Sequence, residues 1–252
     1  IRMLIGLSRR GTFQFSIAAR HGFVAESFFR SAVARGALSR DRHAEFVFSV
    51  ETVLSDLSRD MQHVLAGDMD AASFLDTYGH LRPGTYDILS PSYADREDLF
   101  IGAQIVSADE KKAFALYPQE AAQLDKLFRD CGYPQMDGTR FVDYARRAIV
   151  AREALKFRFS WFLSKAIDAI VSWGDFFGLG RDELSFLSLP DILDLQVIPA
   201  MCKTGNQLSE RVEASRNEWL QCDALRLSHF IRDVDDVFVM PAHRSAPNFV
   251  TT

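Results

Sequence analysis

Cysteine is scarce in this chain, and its placement supports no framework. Cys131, Cys202 and Cys222 are odd in number, widely spaced and free of any CxxC or Cys/His metal-ligand spacing. That pattern excludes a disulfide scaffold and a zinc module, and reduced thiols in a cytoplasm are expected. Positive charge is also in deficit. The 29 Lys and Arg residues against 34 Asp and Glu give a formal charge of -5 and a pI near 5.7. A general nucleic-acid binder needs a net basic face to neutralise phosphates, so nucleic acid is not an expected partner, although Arg9-Arg10 and Arg146-Arg147 are local basic pairs. Long apolar runs are missing too. The opening Ile1–Leu7 stretch is too short for a signal peptide before Arg9-Arg10 interrupts it, and no later run approaches membrane-spanning length. There is no internal repeat or low-complexity tract. The G-x-x-x-x-G-K-[ST] phosphate cradle, a Ser/His/Asp elbow and a catalytic-cysteine signature are all absent.

What is present reads as helix. From Thr12 to about Arg35, Phe15, Ala18, Ala19 and Phe23 track one stripe and Ile17, Val24 and Phe28 another, which predicts a long, mostly buried helix. Gly36 is a stop and Ser39 an N-cap. Phe46, Val50, Val53, Leu54, Leu57, Met61, Val64 and Leu65 then predict a second long helix to Gly67, antiparallel to the first. A short helix follows through Phe74, Leu75 and Tyr78, and another opens at Tyr117-Pro118. Between Phe141 and Phe177 there is no proline and one glycine, so a central helix of roughly 35 residues is expected. Short turns near 181–195, a helix over 208–228 and β character at 236–241 complete the reading. The fold class is all-α: a bundle of long helices with one very long central helix and a structured loop near 79–100. One helical domain is expected over 1–240, with 241–252 a tail. The missing initial methionine and the extended tail point to a piece of something longer.

The segment Tyr78-Gly79-His80-Leu81-Arg82-Pro83-Gly84-Thr85-Tyr86-Asp87 is where chemistry gathers. Pro83 and Gly84 restrict a turn that carries His80, Arg82, Thr85, Tyr86 and Asp87. A loop of this length inside a compact domain is usually functional or disordered, and its aromatics argue for order. Arg82 offers planar recognition of a phosphate or carboxylate. The opposing explanation is a structural turn whose arginine pairs internally, with Asp87 for example. On the long helix, Arg152, Lys156 and Ser160 stand at i, i+4 and i+8, and form a candidate opposite wall. Burial between helices would explain the aromatics around them just as well. His21, His43, His63 and His229 sit singly, and Asp233, Asp235 and Asp236 lack the glycine and distal glutamate of a calcium loop.

The run from Phe74 to Ile88, with Ser90-Pro91-x-Tyr93 after it, resembles the central helical region of phosphoenolpyruvate-utilising phosphotransferases. This is the group of phosphoenolpyruvate synthase, pyruvate phosphate dikinase and rifampin phosphotransferase. The Gly11–Ser39 helix and Lys156-Phe157-x-Phe159-Ser160-x-x-Leu163-Ser164 are similar to the same region, so the likeness covers most of the chain. In such proteins an ATP-grasp domain charges a histidine on a swivelling domain, which carries the phosphoryl group to a second site. The Gly-Gly-x-x-Ser-His context of that histidine does not occur here, and His80 does not match it. The resemblance therefore implies a helical middle domain, inactive alone, that holds the acceptor or docks the phosphohistidine domain. ATP and magnesium would belong to the ATP-grasp domain of the same polypeptide, and a small-molecule acceptor to this one. His80, Arg82, Thr85, Tyr86, Asp87, Arg152 and Lys156 are the expected acceptor-site residues, with no catalytic or metal-binding residue among them. A non-catalytic spacer or protein-interaction module is the alternative.

Overall fold

The computed structural model describes residues 1–100, 112–195, 204–223 and 231–238. Among them the regular elements are all helical and no strand occurs, as the apolar spacing predicts. The helices are α1 (Arg2–Ala34), α2 (Arg40–Ser49), α3 (Val53–Ala66), α4 (Ala71–Tyr78), α5 (Pro118–Asp130), α6 (Gly138–Asp175), α7 (Arg181–Leu184), α8 (Leu189–Leu195) and α9 (Thr204–Asp223). Two compact units divide the chain, one from Ile1 to Ser172 and one from Trp173 onward.

Local chemistry sets the boundaries. α1 begins at Arg2 rather than Thr12, because the Ser8 and Thr12 hydroxyls bond back to the carbonyls of Leu4 and Ser8 at 2.9 Å instead of competing for the backbone N–H groups. The single helix expected over 39–67 is two. Ser39 caps α2 by accepting the Arg42 N–H at 3.1 Å, and α2 stops where Val50 becomes extended. Thr52 then restarts the chain as α3, its N–H donating to Ser55 Oγ at 3.2 Å. A capping pair thus interrupts an apolar periodicity that alone reads as continuous. α6 is the long helix expected, 38 residues or about 57 Å at 1.5 Å per residue.

α1 is not mostly buried. Its inward face is made chiefly of small residues, Ala18, Ala19, Gly22, Ala25 and Ala32, with Phe29, whereas Phe13, Ile17, Phe23 and Val24 are exposed. Close approach to α6 explains the choice. A Cβ on Gly11 would fall 2.6 Å from the Cβ of Phe159, a separation that no side chain tolerates. The main core of this unit lies where α1, α2, α5 and the start of α6 meet. Phe29 packs on Phe46 and Phe141 with ring centroids 4.4 and 4.7 Å apart, and Phe128 lies 5.5 Å from Phe141.

The second unit buries Leu179, Leu184, Leu187, Ile192, Leu208 and Val212. Ser188 and Asp191 cap α8 reciprocally, and Arg211 of α9 pairs with Asp191 at 3.2 Å. The expected β character at 236–241 is not found where it can be checked, since Val234–Phe238 form a 3-10 turn. Residues 239–241, the end of the helix expected over 208–228, and the 241–252 tail lie outside the described residues. No helix among the described residues is long and apolar enough to cross a membrane.

Candidate functional site

The loop after α4 is held shut by its own backbone. Tyr93 N–H donates to Leu81 O at 2.8 Å and Ala94 N–H to Gly79 O at 3.0 Å, closing the ends of an Ω-like loop. Gly79 is required there, because a Cβ would stand 2.3 Å from Leu75 O and 3.2 Å from the Ala94 Cβ. Inside the loop, Gly84 N–H donates to Ser90 Oγ at 3.0 Å and Leu89 N–H to Asp87 Oδ1 at 2.9 Å. Asp87 is therefore an exposed turn-former that satisfies local backbone.

Arg82 carries the loop onto α6. Its Nε donates to Ser164 Oγ at 3.1 Å, its Nη1 to Ser90 O at 2.8 Å, and its Nη2 to Ser164 O at 3.3 Å and to Asp168. The arginine side chain is 1% exposed against 33% for Asp168, so the sheltered partner is the cation. Of the two expectations for this guanidinium, an external anion or an internal carboxylate, the fold supplies the internal one, four residues along α6 from Ser164. The internal partner is not Asp87.

His80 is buried beside Arg82. Its Nε2 lies 3.3 Å from the Phe157 carbonyl, and its ring meets Phe157 edge-on at 4.7 Å. Burial pushes its pKa down, against smaller opposing contributions from bonds at Phe157 and Thr77, so the imidazole is neutral. Tyr86 is 68% exposed and stacks 6.4 Å from Phe159. Below the loop, Tyr78 donates to Asp60 Oδ2 at 2.7 Å, tying α4 to α3; burial, reinforced by Asp60, raises the phenol's pKa.

Between α3, this loop and α6 lies a cleft of about 280 Å³. Val53, Leu54 and Leu57 form one wall; Leu81, Arg82, Pro83, Thr85 and Tyr93 another; Glu153, Lys156, Phe157 and Ser160 the third. The α6 residues stand at i, i+3, i+4 and i+7, one face of a helix. Three of the expected site residues, Arg82, Thr85 and Lys156, thus line one cavity. Tyr86, Asp87 and His80 do not line it. Neither does Arg152, which was expected beside Lys156. Its guanidinium turns toward α1, 5.4 Å over the Phe23 ring, and its Nε stands 3.6 Å from Glu153 Oε1.

Sequence reasoning missed Glu153, the α3 wall, Ser164 and Asp168. The signal for the first was the same i, i+3, i+4, i+7 spacing, and for the last pair a Ser and an Asp four apart on one face of α6. A second, shallower depression of about 620 Å³ runs between α1 and α6 past Ile17, His21, Tyr144 and Leu155, with His21 Nδ1 3.0 Å from Tyr144 Oη. No protein-family model matches the chain, no curated protein matches it, and no solved structure matches its fold.

Proposed function

We propose that this chain is the helical middle domain of a multidomain ATP- and phosphoenolpyruvate-dependent phosphotransferase, and that the cleft between α3, the Gly79–Ala94 loop and α6 holds the acceptor. The observation that carries this reading is the convergence of Arg82, Thr85 and Lys156 on one cavity, in the segments that resemble such enzymes. Phosphoryl transfer depends on positioning and on cationic neutralisation more than on covalent chemistry by the protein. A cleft lined by an ammonium that no described residue pairs suits that part of the task. ATP, magnesium and the phosphohistidine would come from neighbouring domains of the same polypeptide. A specific observation also favours the spacer reading: Arg82 and His80 are buried and bonded to α6, which makes the loop a clamp.

Lys156 separates the two, because it lies outside the clamp. In the intact polypeptide, Lys156→Met is expected to leave charging of the histidine by labelled ATP unchanged and to slow discharge of the label into a small-molecule extract of the source cells. Unchanged discharge, or equal loss of both steps, would replace the acceptor reading with the spacer.

A further inference from the structure

Resting on the reading of the cleft as the acceptor site, we propose that it takes a small amphiphilic monoanion: an apolar ring or short chain bearing a carboxylate, with the carboxylate on Lys156. Size comes first. At about 280 Å³ the cleft is the volume of only about nine waters at ~30 Å³ each, at the lower edge of ligand sites. That fits a single-ring compound and excludes engulfing a large polycyclic one.

Charge comes second. Arg82 is neutralised by Asp168, and Glu153 has Arg152 at 3.6 Å. Lys156 makes no hydrogen bond or ion pair with any described residue, so one positive charge in the cavity has no counterpart. The sign and number follow. A cation beside an apolar surface attracts an anion more strongly than in bulk water. With Arg82 already matched by Asp168, the lining offers a single positive charge, which favours a carboxylate over a dianionic phosphate.

The remaining walls supply the apolar half. Leu54 is 56% exposed although it lines a concave surface, and with Leu57 and Phe157 it would be covered by an aromatic or aliphatic body. Thr85 stands among the lining residues as a neutral hydrogen-bonding group for a hydroxyl on that body.

Calorimetric titration of the full polypeptide with 4-hydroxyphenylacetate, and separately with its uncharged amide, tests this. The acid is expected to bind about tenfold or more tighter than the amide, a difference that corresponds to about 1.4 kcal/mol. Its affinity should fall as salt is raised. Lys156→Met should remove the preference, and Leu57→Trp, which fills the cleft, should abolish binding of both. Equal binding of acid and amide, with both blocked by Leu57→Trp, would overturn the monoanion and leave the cleft as an acceptor site. An acid preference that survives Lys156→Met, binding indifferent to Leu57→Trp, or no binding of either compound would also overturn the proposal, and the phosphohistidine discharge measurement would then decide the broader reading by itself.

Discussion

Two arginines fasten loops or helix ends onto this fold, and they do so with different consequences. Arg42 of α2 makes a two-pronged pair with Glu120, Nε to Oε1 at 2.8 Å and Nη2 to Oε2 at 3.0 Å, and lies 4.4 and 4.2 Å from the rings of Phe114 and Tyr117. It also donates to Ala115 O at 2.6 Å and pairs with the exposed Glu45. All three of its nitrogens donate to protein oxygens. The three nitrogens of Arg82 donate to protein as well, yet it forms one wall of a cavity whose other wall carries an ammonium with no partner among the described residues. An arginine bonded through all three nitrogens therefore marks a fastening in both places. What distinguishes the second place is the neighbouring charge of Lys156, which no described residue pairs.

The largest expected effect on stability comes from Arg82→Ala. Removing the cation empties a buried site and takes the Arg82 bond from the Ser90 carbonyl, while Asp168, a third exposed, keeps Lys165 at 4.0 Å, so the loss falls at the lower end of the cost of breaking a buried pair from one side, about 3 kcal/mol. Urea unfolding would measure it. A loss under about 1 kcal/mol would show that the loop is not a clamp, and the contrast with Lys156 would collapse.

Arg42→Ala is expected to cost less, about 2 kcal/mol, because Glu45 is well exposed and Glu120 keeps its bond from the Tyr117 N–H at 2.9 Å. It also has a pH signature. Arg42 holds the Glu120 carboxyl below the usual range, with help from the Tyr117 N–H. A depressed folded pKa gives stability that is complete above about pH 4.3, the ordinary glutamate value, and lost as pH falls through the lower folded value. The variant should show a shallower acid slope in its unfolding midpoint.

His80 should give a smaller effect at higher pH. Its folded pKa is lowered chiefly by burial, so the unfolded chain binds the proton more readily. Its contribution is complete above about pH 6.5 and declines as pH falls from there through the folded value. His80→Gln should flatten that decline, read as the urea midpoint between about pH 7.5 and 5.5. An unaltered slope would place the imidazole in water rather than against Phe157.

The smallest effect is expected at the residue that matters most to the proposal. Lys156→Met should shift stability by no more than about 0.5 kcal/mol, as for exposed positions without partners. A larger loss would mean that Lys156 belongs to the fastening, and the comparison between walls would fail.

Much of the architecture was legible because helices announce themselves by period. The 3.6-residue spacing and the absence of proline placed α6 to within a few residues, and Pro118 placed the start of α5. The split at Thr52 was hidden because Val50, Val53 and Leu54 keep the period across a real break. The exposure of α1 was hidden for a different reason. Periodicity identifies an apolar stripe, but which of two stripes turns inward depends on how close the partner helix comes, and Gly11 and the alanines decide that.

The loop was legible as ordered and polar, from Pro83, Gly84 and its aromatics. The partner of Arg82 was not, because Asp168 is 86 residues away and only tertiary packing brings it near. The same holds for the cleft. Thr85 and Lys156 are expected on facing walls and do line one cavity, but nothing in the spacing tells that Arg152, four residues from Lys156, turns to another helix.

The contact at Gly11 has a reach beyond α1. Phe159, which lies against it, also stacks on Tyr86, the residue next to Thr85. A single methyl group added at Gly11 has no room to be absorbed locally, so α6 or the Phe159 ring has to yield, and the displacement is handed through Tyr86 to the rim of the cavity. The cavity's shape is thereby tied to the girth of a helix that does not line it, and variation on the far side of α6 becomes a means of tuning what the cleft admits.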